Sequence, residues 1–358
     1  MVDPADRLKR LLDLMQEVGF TGMLIKSPAN IFYFTGYRGP GYLLVPVDGL
    51  PTLYVYPLDY ELAEKTSTHE IQMSRLDMGA TIRDVIEAIP DNVKVKLGFD
   101  YLSAEDYLKA TEYLGGSLAP ASNYIWRLRM IKSSNEIERI RKACEIASKC
   151  MELAGDMIEE GVMESEVKAE IIKEMMKLGA EKASFDIIVA SGPRSSLPHG
   201  GPGDRMMKEG DVVVIDLGAV YDGYCSDMTR TIYIGSQPDE ELLEVHETVL
   251  KAKQSAESSA TIGTKVSTLY EKAFEEIAAK GYGDYFIHSL GHGVGIEIHE
   301  PPRIYKNVNE ILSEGMVITI EPGIYLPGRF GVRIEDTVLV KRDKIELLTS
   351  SSYDLLNR

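Results

Sequence analysis

The sequence predicts two domains, a small α/β domain followed by a larger α+β domain built from helix pairs and strand hairpins. Three observations lead there. Up to about residue 120, short apolar runs broken by Gly, Pro and Asp alternate with stretches of helical period. Near Trp126 the pattern changes to long amphipathic stretches followed by pairs of apolar, β-branched runs. The length, 358 residues with 44% hydrophobic side chains, is enough for two ordinary cores. The expected domains are 1–125 and 126–358.

Taken in order, residues 3–19 form a helix with Leu8, Leu11, Leu12 and Met15 on one face, ended by Gly19 and Gly22. FTGMLIKS starts a strand. The runs IFYFTGY, GYLLVPV and TLYVYP read as further strands, and VKVKLGFD as another. IKSSNEIERIRKACEIASKCMELAGDMIEEG is a long amphipathic helix. Ser133 or Ser134 caps it, Glu136 and Glu138 sit where the helix dipole favours acids, and Gly161 closes it. ESEVKAEIIKEMMKLGA is a second helix, closed at Gly179. DVVVIDLG pairs with TRTIYIG and MVITIEPG with VRIEDTVLV, with helices near 238–259 and 265–280 between the two hairpins. The order helix pair, hairpin, helix pair, hairpin suggests two similar halves, although no repeated sequence accompanies it.

The chain carries 39 basic and 56 acidic residues, a formal charge of −17. That balance argues against nucleic acid and membrane surfaces as partners, because both need clustered Lys and Arg. No apolar run reaches membrane-spanning length, and the charged start is not a secretory signal. Three cysteines, Cys144, Cys150 and Cys225, are too few and too irregularly spaced for a disulfide framework. A reducing, cytoplasmic location is the expectation.

The chemistry concentrates in the C-terminal third. Asp216 ends an apolar strand and Asp227 begins the next, so a hairpin brings both to one end of a sheet. Either alone also reads as an ordinary strand-end aspartate. Thr229 lies on the same strand face as Asp227 and could orient a carboxylate. Glu321 follows the apolar strand MVITI, where an ionised side chain is costly unless paired or metal-bound. Glu335 shares a face with Arg333 and Thr337, and a salt bridge from Arg333 to Glu335 or Asp336 would account for it structurally. His292 lies between glycines in GHGVG, which let the backbone approach closely and pose the imidazole. Four carboxylates and one imidazole make a hard donor set for manganese, cobalt, iron or zinc. Their charge exceeds what one buried ion balances, so two divalent cations sharing bridging carboxylates are expected, with metal-assisted hydrolysis as the chemistry. His199 and His299 are candidates to donate hydrogen bonds to a substrate carbonyl or oxyanion. No nucleophile elbow is present.

IDLGAVYDGYCSDMTRT, HSLGHGVGIEIHEPP, EGMVITIEPGIY and GVRIEDTVLV together resemble the pita-bread metallopeptidases. NIFYFTGY and WRLRMIKSSNEIERIRKA are similar to the prolidase and aminopeptidase P branch of that family. The resemblance spans essentially the whole chain. It implies a creatinase-like α/β domain ahead of a pita-bread α+β catalytic domain, and hydrolysis of Xaa-Pro bonds in dipeptides or, alternatively, in longer peptides. It implies two metal ions per subunit: one chelated by Asp216, one bound by His292 and Glu321, and both bridged by Asp227 and Glu335. Glu321 would also be the general base, and His199 and His299 would bind substrate and stabilise the intermediate. Arg303, in HEPPR, matches an arginine that can clamp a dipeptide's carboxylate, although a surface arginine would look the same. Arg333 joins the substrate-binding candidates. A homodimer is implied too, with Tyr37 and Arg38 as residues that could reach a partner's site. A non-catalytic peptide-binding relative is the reading from another class; the intact ligand set speaks against it.

Overall fold

A computed structural model describes residues 4–73, 95–114 and 117–356, which fall into two compact units, Met1–Arg129 and Met130–Arg358. In the first, a six-stranded sheet runs in the order Glu70–Met73, Thr52–Val55, Gly41–Pro46, Gly22–Ile25, Leu97–Phe99, Leu118–Pro120. Leu24, Leu44, Tyr54 and Leu97 on the strands meet Ala110 and Leu114 of helix Ala104–Leu114 in its core. Helix Pro4–Val18 buries Leu8, Leu11 and Met15, and Gly19 follows it with φ 72°. Asp3, the expected first helical residue, lies outside the described residues, as do Val93 and Lys94 of VKVKLGFD.

One expected strand is a helix. Pro28–Thr35 covers most of the IFYFTGY run, with Pro28 in its first turn and Gly36 capping it in the left-handed region. Asn30, Ile31, Tyr33, Phe34 and Thr35 are all buried. A short helix buried nearly all round has no polar face, so its sequence lacks the helical period and looks like a buried strand. Trp126, where the pattern changes, lies on helix Ser122–Arg129 of the first unit, and the boundary follows that helix. Tyr37 is fully buried, with its hydroxyl 3.4 Å from the Pro40 carbonyl, so of the pair singled out only Arg38 is exposed.

The second unit is organised around an eight-stranded sheet. Its main order is Glu300–Ile304, Gly291–Gly293, Val317–Ile320, Glu335–Val340, Met228–Tyr233, Val212–Leu217, Ile188–Ser191, and Ile345–Leu347 adds to Glu335–Val340. Helix Ser134–Met157 starts at a capping box in which Ser133 and Glu136 satisfy each other's backbone N–H groups. It ends at Met157, ahead of Gly161. With helix Glu164–Lys177 it packs Ala147, Cys150, Met151, Val167 and Ile171 against Val213, Ile215 and Ile232. Helices Glu240–Ser259 and Val266–Ala279 pack Val245, Val249, Leu269 and Ala273 against Ile318, Ile320 and Val338. Each helix pair therefore serves its own strand pair, as the order of elements suggested.

Two local features depart from simple hairpins. AVYDGYCS is itself a small hairpin, Ala219–Tyr221 against Tyr224–Cys225, turned by Asp222 and Gly223 with φ 44° and 78°. Positive φ at both central residues is the two-residue turn that matches strand twist. VRIEDTVLV is not one strand. Phe330–Arg333 pairs with Gly323–Leu326, and the chain breaks at Ile334 before Glu335–Val340 enters the main sheet. Among the described residues no helix is long and apolar enough to cross a membrane.

Candidate metal centre

Strand register assembles the site. Thr229 pairs with Asp216 on one side and Glu335 on the other, and Asp216 pairs in turn with Ile188. Directly opposed residues face the same way, so Ile188, Asp216, Thr229 and Glu335 form a row across one face of the sheet. Asp227 sits just ahead of Met228, its carbonyl accepting a 2.7 Å bond from Thr337 Oγ1. Glu321 follows Val317–Ile320; its N–H donates to the Leu290 carbonyl at 2.8 Å and its Oε1 lies 3.4 Å from Thr319 Oγ1.

His292 arrives on a short strand whose neighbours require glycine. A Cβ at Gly291 would lie 2.1 Å from the Thr319 carbonyl oxygen, and one at Gly293 2.2 Å from that of Pro301. The imidazole Nδ1 is 3.0 Å from the Gly293 carbonyl, which can only accept, so Nδ1 carries the proton. In the neutral ring Nε2 then keeps the lone pair; it lies 3.5 Å from Asp227 Oδ2 and 3.5 Å from Glu321 Oε1. Oxygens of Asp227 and Glu335 and a ring nitrogen of His292 all lie within 4.8 Å of one another.

The electrostatics are those of an anionic pocket. Burial and the neighbouring Asp216 and Glu321 hold the Asp227 carboxyl well above the usual carboxylate range. Burial and Asp227 do the same to Glu335, and burial raises Glu321. Asp216 Oδ1, Asp227 Oδ1 and Glu335 Oε1 are buried and have no hydrogen-bond partner among the described residues. A buried polar atom without a partner costs about 1–3 kcal/mol, more when charged. Three such oxygens in one cavity, with oxygens of Asp227 and Glu335 within 4.8 Å of a ring nitrogen of His292, are what a hard divalent cation would satisfy, so the donor set fits such ions.

Arg333 is placed differently from the expectation. It pairs with neither Glu335 nor Asp336, and it lines the cavity with its donors turned to protein acceptors. Its Nη2 donates to Asp216 Oδ2 at 2.6 Å, its Nη1 to Tyr325 Oη at 2.7 Å and more weakly to the Pro198 carbonyl, and its Nε to Thr229 Oγ1 at 3.1 Å. The break at Ile334 turns its strand toward Asp216, which strand alternation in the sequence could not reveal. Tyr325 in turn lies 3.0 Å from His288 Nε2, while His288 Nδ1 is 2.7 Å from the Ser289 carbonyl. Burial and Arg333 push the His288 pKa down to about 4, so it is a neutral acceptor for the tyrosine hydroxyl. Neither Tyr325 nor the role of Arg333 was visible in the sequence, where the signal for His288 is its place with His292 and His299 within twelve residues. Cys225 is buried with its sulfur 3.4 Å from the Ile296 carbonyl.

All five acidic and imidazole candidates line one cavity of about 750 Å³. His199, His299 and Arg303 line it too, and all three are exposed. The His299 ring stands edge-on to that of His292, with centroids 4.5 Å apart. The Arg303 guanidinium lies over Tyr305, 4.9 Å from the ring centre. Phe185, Ile188, Pro198 and Pro301 give the cavity apolar wall.

Comparison with known proteins gives a consistent picture. Residues 138–342 match metallopeptidase family M24, and residues 7–131 match the creatinase/prolidase N-terminal domain. An Xaa-Pro dipeptidase from Pyrococcus furiosus is 43% identical over 98% of this chain and 99% of its own length. The crystal structure of a prolidase from Pyrococcus horikoshii OT3 matches with a TM-score of 0.92 at 40% identity, covering 98% of this chain and 99% of that one. An X-Pro aminopeptidase from Thermotoga maritima matches with a TM-score of 0.84 at 34% identity, covering 96% of this chain and 99% of that one.

Proposed function

The chain belongs to metallopeptidase family M24 and carries a creatinase/prolidase N-terminal domain, and on that premise we propose that it is an Xaa-Pro dipeptidase working with two divalent cations. The observation that carries the metal assignment is the cluster of ligand atoms from Asp227, His292 and Glu335 within 4.8 Å of one another, in a cavity where one oxygen each of Asp216, Asp227 and Glu335 has no hydrogen-bond partner among the described residues. Asp216, Asp227, His292, Glu321 and Glu335 are the residues that would hold the ions. Four carboxylates offset by Arg333 leave three negative charges. One divalent cation leaves the site negative; two leave it positive, which suits a cavity that must admit a substrate carboxylate. Divalent cations bound there supply Lewis-acid polarisation and a water whose pKa is lowered toward neutrality.

The protein's own groups complete the reaction. Glu321, buried and with raised proton affinity, takes the proton of the attacking water and returns it to the prolyl nitrogen as the C–N bond breaks. His199 and His299 donate hydrogen bonds to the carbonyl oxygen as it becomes an oxyanion. Arg303, exposed on the cavity wall, takes the free carboxylate of the dipeptide. The prolyl nitrogen carries no hydrogen, so an apolar cavity wall serves it as well as a backbone acceptor would serve other peptides. A cytoplasmic homodimer is the accompanying proposal, supported by three unpaired thiols for the compartment and by the family resemblance for the assembly.

Metal-free protein should fail to cleave Ala-Pro and regain activity with manganese, cobalt, zinc or iron, the best ion being identified by the panel. Ala-Pro should be preferred over Ala-Pro-Ala. Strong preference for the tripeptide would overturn the dipeptidase assignment in favour of an aminopeptidase P. Absence of any metal-dependent hydrolysis would overturn the enzyme reading itself.

A further inference from the structure

His199 sits in Leu197–Asp204, a segment with three glycines, two prolines and neither helix nor strand. Such a stretch does not by itself hold an imidazole in place. Its internal bonds are two tight turns, Gly200 N to the Leu197 carbonyl and Gly201 N to that of His199, both 2.9 Å. Besides the weak bond from Arg333 Nη1 to the Pro198 carbonyl, what holds it from outside is Glu164, the first residue of helix Glu164–Lys177, whose side chain is 0% exposed.

Both oxygens of Glu164 are spent on the chain around His199. Oε1 accepts from Ser191 N at 2.8 Å and from Ser191 Oγ at 2.7 Å, where the chain enters. Oε2 accepts from Gly203 N at 2.9 Å, where it leaves, and from Arg194 Nε at 3.2 Å, again on the entering side. Arg194 then reaches across and donates from Nη2 to the Gly201 carbonyl, two residues beyond His199. An acid at a helix start needs no burial to favour the dipole, so the buried placement of Glu164 calls for another reason. Burying a carboxylate is costly unless its lone pairs are filled, and here they are filled by Gly203 within the His199 segment and by Ser191 and Arg194 just ahead of it.

We infer that Glu164 and Arg194 are positioning residues, a clamp that fixes the His199 loop against the cavity so that the imidazole meets the substrate carbonyl. The inference rests on the proposed role of His199. A misplacement of about 1 Å in such a donor can cost about 10²-fold in rate, so a clamp on a glycine-rich loop has a kinetic effect large enough to measure.

The test is a double-mutant cycle on metal-loaded enzyme with Ala-Pro as substrate. Arg194→Ala is the first arm, since its side chain is 37% exposed and can be removed without opening the core. Glu164→Gln is the second, because it keeps the shape and replaces one acceptor by a donor. His199→Ala alone should lower kcat/KM about 10²-fold, and Arg194→Ala about tenfold or more. The double variant Arg194→Ala/His199→Ala should be no slower than His199→Ala, with manganese affinity unchanged in both. Hydrogen exchange at the Gly203 amide should accelerate in Glu164→Gln. Multiplying effects in the double variant, or loss of manganese affinity in Arg194→Ala, would overturn the clamp while leaving the role of His199 intact. A silent His199→Ala would overturn that role and the clamp together.

Discussion

Thr229→Val isolates one atom of the centre. The Thr229 hydroxyl donates to Glu335 Oε2 at 2.7 Å and accepts from Arg333 Nε at 3.1 Å, and the residue is fully buried. Valine keeps the volume and the β-branch that the strand favours, so no cavity opens. The substitution removes two hydrogen bonds to ionic groups, each worth about 1.5–3 kcal/mol. Arg333 remains held by Asp216, Tyr325 and Pro198, so the loss falls mainly on Glu335, whose other oxygen already lacks a partner. Removing a group that orients a ligand costs about 10–100-fold in metal affinity, or about 1.4–2.7 kcal/mol. Calorimetric titration of metal-free protein with manganese, at fixed pH and salt, measures that directly. Thr229→Ser, which restores the hydroxyl, should bind nearly as the parent does. Unchanged affinity in Thr229→Val would refute the argument, and so would a serine variant as weak as the valine one, because the methyl rather than the hydroxyl would then matter.

Glu321→Gln should keep measurable cation binding but lose Ala-Pro hydrolysis; turnover near that of the parent would remove Glu321 as the base. Arg303→Ala should raise KM for Ala-Pro by roughly 10–100-fold, the loss of about 1.5–3 kcal/mol from a charge-assisted contact, while sparing Ala-Pro-Ala; an equal effect on both would place Arg303 outside carboxylate recognition. Asp336→Asn should destabilise the second unit by about 3–5 kcal/mol because it removes the carboxylate shared by two buried cations, Arg230 and Lys253, the second of which keeps only Glu257 as an acidic partner. At about 2–4 °C per kcal/mol the melting temperature should drop by roughly 6–20 °C, and a shift within about 2 °C by calorimetry would contradict the pairing. Hydrogen bonds from Arg141 and Lys341 hold the Glu346 pKa down to about 2 from its ordinary 4.5. A depressed carboxylate adds stability above its unfolded pKa and loses it as pH falls from about 4.5 to about 2. Glu346→Gln should therefore be less stable at pH 7, by about 1 kcal/mol once solvent screening of this partly exposed pair is allowed for. Its acid limb should also be shallower across that window. Parallel parent and variant curves in urea titrations from pH 7 to pH 2 would refute it.

The parts of the molecule legible in the sequence were those set by local pattern. Helix Ser134–Met157 announced itself by cap, first-turn acid and apolar period, and the pairings of the two main hairpins followed from adjacent β-branched runs. Thr229 could be placed on the face of its neighbouring acids because strand alternation is strict, and register then puts it between Asp216 and Glu335. What escaped was decided by long-range packing. Pro28–Thr35 is helical although its sequence is apolar on every side, since its burial leaves no polar face to betray the period. Tyr325 and Arg333 belong to a strand pair outside the main sheet, and nothing in the run VRIEDTVLV marks the turn at Ile334 that separates them from it. Glu164 reads as an ordinary first-turn acid; only the fold shows that a loop some thirty residues further on closes over it.

The adjacent pair Glu335 and Asp336 shows why residue type alone cannot separate a working carboxylate from a structural one. Both are essentially unexposed, on one strand, with side chains on opposite faces of the sheet. Asp336 is saturated: it accepts from Arg230, Lys253, Thr349 and Tyr353 at 2.6–2.9 Å. Arg230 and Lys253 outweigh its burial, and its pKa falls. Glu335 has one donor, Thr229, and one oxygen with none, and its pKa is pushed well up by burial and by the other acids. The protein thus has the means to neutralise a buried acid on this strand and uses them on the face away from the cavity. On the cavity face the same residue class is left short of positive charge, with Arg333 committed to Asp216. Filling that deficit with a fixed lysine or arginine would stabilise the folded chain more simply. Leaving it open makes the stability of this face depend on cation binding, because whatever binds the native state alone shifts the folding equilibrium toward it. The asymmetry across one strand, rather than the number of acids, is what distinguishes a centre prepared for metal from a buried ionic network.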